Sequence, residues 1–305
     1  SARKIMTLTA NKLKIATRSS PLAIKQCEII ESLLPNIPTR IIKIITKGDQ
    51  VIDKSLSRIG GKGLFVKKLE MAILENRADI AIHSMKDMEW NIASGTSIGA
   101  IIKRGSRRDL LIGKWKSFDE LPIGSKIGTS SVRRKAFLLS FRPDLEINLL
   151  RGNINTRLEM LNKGKYDAIV LAEAGIQRLG IKVESIQIPE KILPPSAAQG
   201  AIAIQCKSDN KYVLSLMSKI NNINAEYETL AERSFVSSLN GTCGSPIGAS
   251  AIIKKDTLNL FGAISNQDGT VIFKESISGH YKNALSIGKE LGKLLLPNVQ
   301  KYGLF

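Results

Sequence analysis

The sequence predicts an α/β protein built on mixed, largely parallel sheets, with a smaller α+β part at the C-terminal end. Three observations predict it. Apolar, β-branched stretches alternate with helical ones in the order β-α-β-α-β up to residue 84. The alternation starts again near residue 125 and runs to residue 206. From residue 225 onward the pattern becomes one helix, a glycine-rich loop and two adjacent strand-like stretches.

Residues 13–18, LKIATR, form a buried strand, and Ser20-Pro21 then supply an N-cap and a proline for the first helical turn. Leu22, Ile29 and Leu33 continue at helical spacing. Residues 39–49 are a β-branched strand. Residues 60–79 are a glycine loop feeding a helix with Phe65, Leu69, Ala72 and Ile73 on one face. Residues 80–84, IAIHS, are a short buried strand. In the second round, the strand 125–130 runs into a helix over 131–144 that Pro143 stops. Strand 146–153, a helix over 156–164 ended by Gly164, and the strand-to-helix stretch 166–175 follow. PPSAAQG (194–200) is a turn-rich crossing ahead of the strand 201–206. A helix over 225–239, a loop over 240–248 and strands at 249–255 and 257–265 complete the pattern.

The chain has 305 residues, a formal charge of +18 and 43 % hydrophobic residues, which excludes wholesale disorder. No apolar run reaches the roughly 18 residues of a membrane-spanning helix. Residues 1–12 lack the apolar core of a secretory signal, and no acid precedes Glu28. The expectation is a short basic tail on a cytoplasmic protein, the alternative being an organellar transit remnant. Charge is uneven: net +7 over residues 1–102, +8 over 103–199 and +3 over 200–305, with 14 of 15 arginines before residue 200. Arginine grips carboxylates and phosphates with a planar fork, so oxyanion recognition is expected in the first two thirds. Aromatics are only 5 % and do not interleave with the basic residues, which argues against nucleic acid.

Three strand ends break into Gly, Ser or Thr ahead of a helix, with arginine alongside. They are Thr17-Arg18-Ser19-Ser20, then Gly128-Thr129-Ser130-Ser131 with Arg133 and Arg134, and Arg151-Gly152-Asn153 leading to Arg157. Free N–H groups, hydroxyls and guanidinium groups there suit an oxyanion. Gly60-Gly61-Lys62-Gly63 is a further backbone approach with a cation, but it lacks Walker A spacing. Asp87, one residue past Lys86 and just beyond a buried strand, either stabilises a developing cation and moves protons or serves as a cap or surface ion pair. His83, with no second His or Cys nearby, reads as a core residue rather than a metal ligand. Cys27 and Cys206 lie in apolar stretches and read as buried. Cys243, in Asn240-Gly241-Thr242-Cys243-Gly244-Ser245-Pro246, is either an accessible nucleophile suited to anchor a group covalently or an incidental loop thiol.

Taken in order, IATRSSPLAIKQ, GGKGLFVKKLE, HSMKD, GTSSVRR, RGNINTRL, AGIQRLG, AAQGAI and the loop cysteine resemble the porphobilinogen deaminase (hydroxymethylbilane synthase) family over about residues 12–300. The resemblance implies two periplasmic-binding-protein-like lobes, residues 1–102 plus 200–220 and residues 103–199, and a C-terminal domain over 221–305. It implies a dipyrromethane cofactor on Cys243 through a thioether, Asp87 as catalytic residue, and neither metal nor nucleotide. It places Lys86, Ser131, Arg133, Arg134, Arg151 and Gly152 on the cofactor. Arg18, Ser20, Gln26, Lys62, Arg157, Arg178 and Gln199 fall to the substrate. The implied reaction joins four porphobilinogen molecules with loss of ammonia. It then releases hydroxymethylbilane, which passes to uroporphyrinogen-III synthase, from a monomer without membrane or nucleic-acid partners. The chain departs from the family pattern at Met88-Glu89-Trp90, where Val-Pro is usual, and at Thr242 and Gly244 around the cysteine. Arg58 replaces a frequent lysine. A two-lobed solute receptor is the competing class, and it has no need of Cys243.

Overall fold

The computed structural model describes residues 12–45 and 61–305, the side chain at position 62 excepted. Arg58, Gly60 and the tail of the expected strand beyond residue 45 lie outside the described residues. In chain order the first elements are β1 (Leu13–Thr17), α1 (Pro21–Leu33), β2 (Thr39–Lys43), α2 (Gly61–Leu74), β3 (Ile80–Ser84) and β4 (Thr96–Ile101). Next come β5 (Asp109–Ile112), β6 (Lys126–Gly128), α3 (Val132–Phe141), β7 (Glu146–Asn148), α4 (Ile154–Asn162), β8 (Ala168–Ala172), α5 (Glu173–Arg178) and β9 (Ser185–Gln187). The last are β10 (Ile202–Lys207), α6 (Lys211–Ser218), α7 (Ile223–Ser238), β11 (Ile247–Lys254), β12 (Thr257–Ser265), β13 (Ile272–His280) and α8 (Ala284–Tyr302).

The chain forms two compact units. The first takes the chain up to His83, then Ile92–Ala100 and Ala203–Ile220. Its sheet has the order β2-β1-β3-β10-β4. β1 runs parallel to β2, with Leu13 opposite Thr39, and parallel to β3, with Ile15 opposite Ile80. Ile15, Ala16, Ile80 and Ala81 are fully buried, which explains why these strands read as unbroken apolar runs. Leu69, Ala72 and Ile73 of α2 pack on Ala16 and Ala81, three of the four residues the sequence puts on that face, while Phe65 is half-buried outside this cluster. Ser20 caps α1 by accepting from the Ala23 N–H at 3.3 Å, and Pro21 opens the helix.

The second unit comprises Ser84–Asn91, Ile101–Ile202 and Asn221–Phe305. Its first sheet has the order β7-β6-β8-β5-β9, with β6 parallel to β7 and β8, and β5 antiparallel to β8 and β9. Ala168 and Val170 of β8 face Phe137 and Leu138 of α3, whereas Ile169 and Leu171 face Ile176 of α5 and Leu158 of α4. Ser131 caps α3, and the helix stops at Phe141 because the residue before Pro143 resists the helical region. Asn153 caps α4, and Gly164 follows at φ +72°.

The α+β layer has the antiparallel order β11-β12-β13, with Lys255 at φ +55° closing the tight hairpin between the first two. Phe235 of α7 and Leu291 of α8 are fully buried against Leu258, Leu260 and Ile264. The two helices approach closely because Gly288 and Gly292 leave no room for a Cβ against the Ala231 carbonyl and the Ser238 side chain. Below the layer, Glu232 of α7 is fully buried and receives Arg104 at 2.9 and 2.8 Å, Arg107 at 3.2 Å, the Ala198 N–H at 2.7 Å and the Ala251 N–H at 2.8 Å. Burial lowers the Arg104 pKa, but Glu232 overrides it and the value ends above the ordinary one.

Two mixed sheets and a smaller α+β layer are the fold class the sequence predicts. The reading leaves β4, β5, β9, β13, α6 and α8 unassigned. β9 has only three residues, β5 four, and β13 alternates with mostly exposed polar side chains at the edge of its sheet.

Candidate active site

Asp87 closes a single 3-10 turn, Met85–Asp87, directly after β3. The turn is pinned by the Met85 N–H donating to the Ala201 carbonyl at 3.0 Å and by burial of Met85 and Met88 on either side. Asp87 and Lys86 are therefore half-buried at a fixed place. Asp87 acts electrostatically on Arg157, whose Nε donates to the Gly152 carbonyl at 2.7 Å. Burial pushes Arg157 down to about 10, Arg134 pushes the same way, and Asp87 opposes both. Arg178 donates to the Gly200 carbonyl at 2.6 Å and is likewise lowered to about 10 by burial.

Arg133 and Arg134, on the first turn of α3, share one carboxyl group. Arg133 donates to Asp109 Oδ2 at 2.9 Å and to the Pro194 carbonyl at 2.6 Å. Arg134 donates to Asp109 Oδ1 at 2.7 Å and to the Val170 carbonyl at 3.1 Å. Gln199 adds a bond to Asp109 Oδ1 at 3.1 Å and another to the Arg107 carbonyl at 2.7 Å. Burial would raise the Asp109 carboxyl, but Arg133 and Arg134, with Lys86 behind them, hold it far below the usual carboxylate range. One acid faces two buried arginines, so this part of the unit keeps excess positive charge. Arg134 Nε and Gln199 Oε1 are buried without a hydrogen-bond partner among the described residues. Ser131 accepts the Arg134 N–H at 3.2 Å, and Arg151 and Gly152 are exposed on the turn ahead of α4, Gly152 at φ +109°.

Cys243 is exposed at the tip of a tight turn. Ser245 Oγ accepts the Thr242 N–H at 3.0 Å, and Thr242 Oγ1 accepts the Gly244 N–H at 3.2 Å. Thr242 thus helps to build the turn that presents the thiol. The Cys243 thiol donates to Glu89 Oε1 at 3.3 Å. Cys27 and Cys206 are fully buried, and burial pushes Cys27 up to about 11 and raises Cys206.

In the first unit, the Arg18 guanidinium lies 4.1 Å from the centre of the Phe65 ring, and its Nε is buried without a partner among the described residues. Ser20 is the cap of α1, and Gln26 is buried within that helix. Lys62 lies in the first turn of α2, and its side chain is outside the described residues. His83 is a buried core residue bonded to Gln205 at 2.8 Å, and Gln205 in turn donates to Glu70 at 3.0 Å and Thr96 at 2.8 Å. No group of His, Cys, Asp and Glu suited to a metal occurs among the described residues.

The structure therefore brings Asp87, Lys86, Ser131, Arg133, Arg134, Arg151, Gly152, Arg157, Arg178, Gln199 and Cys243 into one unit, and Arg18, Ser20, Gln26 and Lys62 into the other. Sequence reasoning misses Asp109, the shared partner of Arg133 and Arg134. Its only local signal is an acid opening the wholly buried strand DLLI. The reading also names Glu89 only as part of the Met88-Glu89-Trp90 departure and does not place it on the thiol.

Residues 13–215 match the family described as porphobilinogen deaminase, dipyromethane cofactor binding domain, and residues 227–297 match the porphobilinogen deaminase C-terminal domain. The chain is 45 % identical to the porphobilinogen deaminase of Buchnera aphidicola subsp. Acyrthosiphon pisum (strain Tuc7), covering 95 % of this chain and 94 % of that one. It is 43 % identical to that of Vesicomyosocius okutanii subsp. Calyptogena okutanii (strain HA), covering 93 % and 95 %. Among solved structures, the second substrate binding domain of a putative amino acid ABC transporter from Streptococcus pneumoniae Canada MDR_19A is 16 % identical over 72 % of this chain and 96 % of that one, with a TM-score of 0.42. On its sequence and its two matched domains, the chain belongs to the porphobilinogen deaminase family.

Proposed function

We propose that the chain joins four porphobilinogen molecules head to tail, starting from a dipyrromethane held by a thioether on Cys243, and releases hydroxymethylbilane. The observation that carries this reading is the pair of buried arginines, Arg133 and Arg134, that share the single Asp109 carboxyl group in the unit that also holds Asp87 and the exposed Cys243 thiol. Each pyrrole of substrate and product bears an acetate and a propionate, so the growing chain is an oligoanion. The donor set fits such a group: Arg134 Nε is a buried donor still to be satisfied, and the Ser131 hydroxyl is free to donate its own hydrogen while accepting from the helix. When bound, the dipyrromethane supplies a nucleophilic pyrrole carbon at a fixed end.

Lys86, Ser131, Arg133, Arg134, Arg151 and Gly152 hold the carboxylates of the cofactor, each charge-assisted contact contributing about 1.5–3 kcal/mol. Arg18, Ser20, Gln26, Lys62, Arg157 and Arg178 serve the incoming porphobilinogen. Gln199 is fully buried, and its amide N–H groups are spent on Asp109 and the Arg107 carbonyl, so it acts in this reading by orienting Asp109. The Asp87 carboxyl group accepts pyrrole N–H groups, stabilises positive charge on the ring that reacts and moves the proton that coupling sets free. Tethering makes each coupling a reaction with one end already in place. The three-part division into residues 1–102 plus 200–220, 103–199 and 221–305 follows the same reading, as do a monomeric cytoplasmic enzyme and delivery of product to uroporphyrinogen-III synthase. No described helix is long and apolar enough to cross a membrane.

Asp87→Ala tests the assignment. Its circular dichroism and its covalent mass at Cys243 are expected to match the parent, while porphobilinogen consumption falls by about 10²–10⁴-fold. Consumption near the parent rate overturns it.

A further inference from the structure

Cys243 must lose a proton when it takes up its cofactor, and in the structure the thiol donates to a carboxyl group. Glu89 Oε1 stands 3.3 Å from Cys243 Sγ. The segment that carries this carboxyl group is braced through its backbone and the next side chain. Arg233 of α7 donates to the Glu89 main-chain carbonyl at 2.6 Å and covers the Trp90 ring, with 5.7 Å between guanidinium carbon and ring centre. Burial lowers Arg233 to about 10 and the Glu89 charge opposes that, so the two residues are also coupled electrostatically. On the other side, the Thr242–Ser245 turn fixes the thiol. Glu89 and Cys243 are thus presented to each other by two separately braced segments, 154 residues apart in sequence.

We infer that Glu89 is the general base for loading Cys243: it takes the thiol proton as sulfur bonds to the aminomethyl carbon of porphobilinogen. This rests on the reading of Cys243 as the attachment point. In the step the S–C bond forms and the C–N bond breaks, its electron pair leaving on nitrogen as ammonia. The thiol proton moves to Glu89 and from there to water. No oxidant or reductant is needed. A carboxyl group is a weak base toward a resting thiol. It becomes an adequate one as the sulfur bonds to carbon and its proton turns acidic.

The test uses the full chain prepared in cells that make no porphobilinogen, so that Cys243 is bare. Porphobilinogen is added, and the first mass increase on the Cys243 peptide is timed between pH 6 and 9. Glu89→Gln keeps the shape and an acceptor oxygen but cannot take a proton. It is expected to load about a hundredfold more slowly at pH 7, with the deficit closing as rising pH lets hydroxide take the proton in place of the carboxylate. Glu89→Ala is expected to load slowly too and to be accelerated by added acetate. Loading of Glu89→Gln at the parent rate overturns the inference, and so does a deficit that is equal at every pH together with no response of Glu89→Ala to acetate. If the parent chain itself gains no mass at Cys243, the attachment reading falls with it, which separates the two failures.

Discussion

The turn after β1 and the turn after β6 are written in nearly the same local grammar and wired differently. Both end a buried strand, both place a serine at the helix cap, and both caps accept an N–H three residues on, at 3.3 Å from Ala23 and 3.2 Å from Arg134. After β1 the arginine precedes the cap, and Arg18 rests on the Phe65 ring. After β6 the arginines follow the cap, and Arg133 and Arg134 converge on the fully buried Asp109. The first cation is held by a ring face, with no ion pair to a carboxylate among the described residues. The second pair is held by a counter-charge that cancels half of it. Local sequence sets the turn in both places; residues far along the chain decide what charge the turn presents.

The difference is largest at Asp109. Asp109→Asn leaves two buried guanidinium groups without their counter-charge, and a loss of about 3–5 kcal/mol in urea unfolding is expected. The pH dependence has a definite sign. Arg133 and Arg134 outweigh burial and depress the folded carboxyl below its unfolded value of about 3.9. Its contribution is therefore complete above that value and is lost as the pH falls below it toward the folded value. The gap between the parent chain and Asp109→Asn should be widest near neutral pH and shrink below about pH 4. A gap constant down to pH 2.5 would mean that the charge of Asp109 does not hold the pair.

Why the sequence shows one half of this wiring and hides the other is a matter of distance along the chain. Asp87 follows its strand by three residues, and Cys243 sits in a Gly-flanked turn, so both are visible locally. Asp109 meets Arg133 from 24 residues away, and Glu89 meets Cys243 from 154, and no periodicity carries such pairings. The same holds for the fold. β1, β3, β8 and β10 are buried on both faces and read as apolar runs, whereas β13 shows its polar side chains at an edge. α8 does carry Ala284, Ile287, Leu291 and Leu295 at helical spacing, but Gly288, Gly292 and Pro297 interrupt it. The two glycines are there because α7 lies against them, a reason that only packing reveals.

The caps sharpen the comparison at smaller cost. Ser20→Ala and Ser131→Ala each remove one side-chain acceptor for an orphan helix N–H, so each should lower stability by about 1 kcal/mol in urea unfolding. If both hydroxyls also donate to ligand carboxylates, the two variants part company in function. Ser131→Ala should slow loading of Cys243 by porphobilinogen, and Ser20→Ala should raise KM with little change in loading. Equal stability losses with no functional change would leave both serines as caps alone.

The smallest effect is expected where charge is held by a ring. Phe65→Leu keeps an apolar side chain under Arg18 but removes the π face that attracts it, a loss of about 0.5–1 kcal/mol. Stability should therefore fall little. Function should respond through position, because the guanidinium lies 4.1 Å from the ring centre and loses the surface that orients it. In the proposed reading Arg18 serves incoming porphobilinogen, so KM should rise several-fold while the cofactor mass at Cys243 stays unchanged. Arg18→Lys separates charge from orientation: a lysine keeps the cation but not the planar fork. If Phe65→Leu and Arg18→Lys raise KM alike, the ring works by aiming the fork. If Arg18→Lys raises KM and Phe65→Leu does not, Arg18 is aimed by something other than the ring, and the contrast with the Asp109-held pair loses its physical basis.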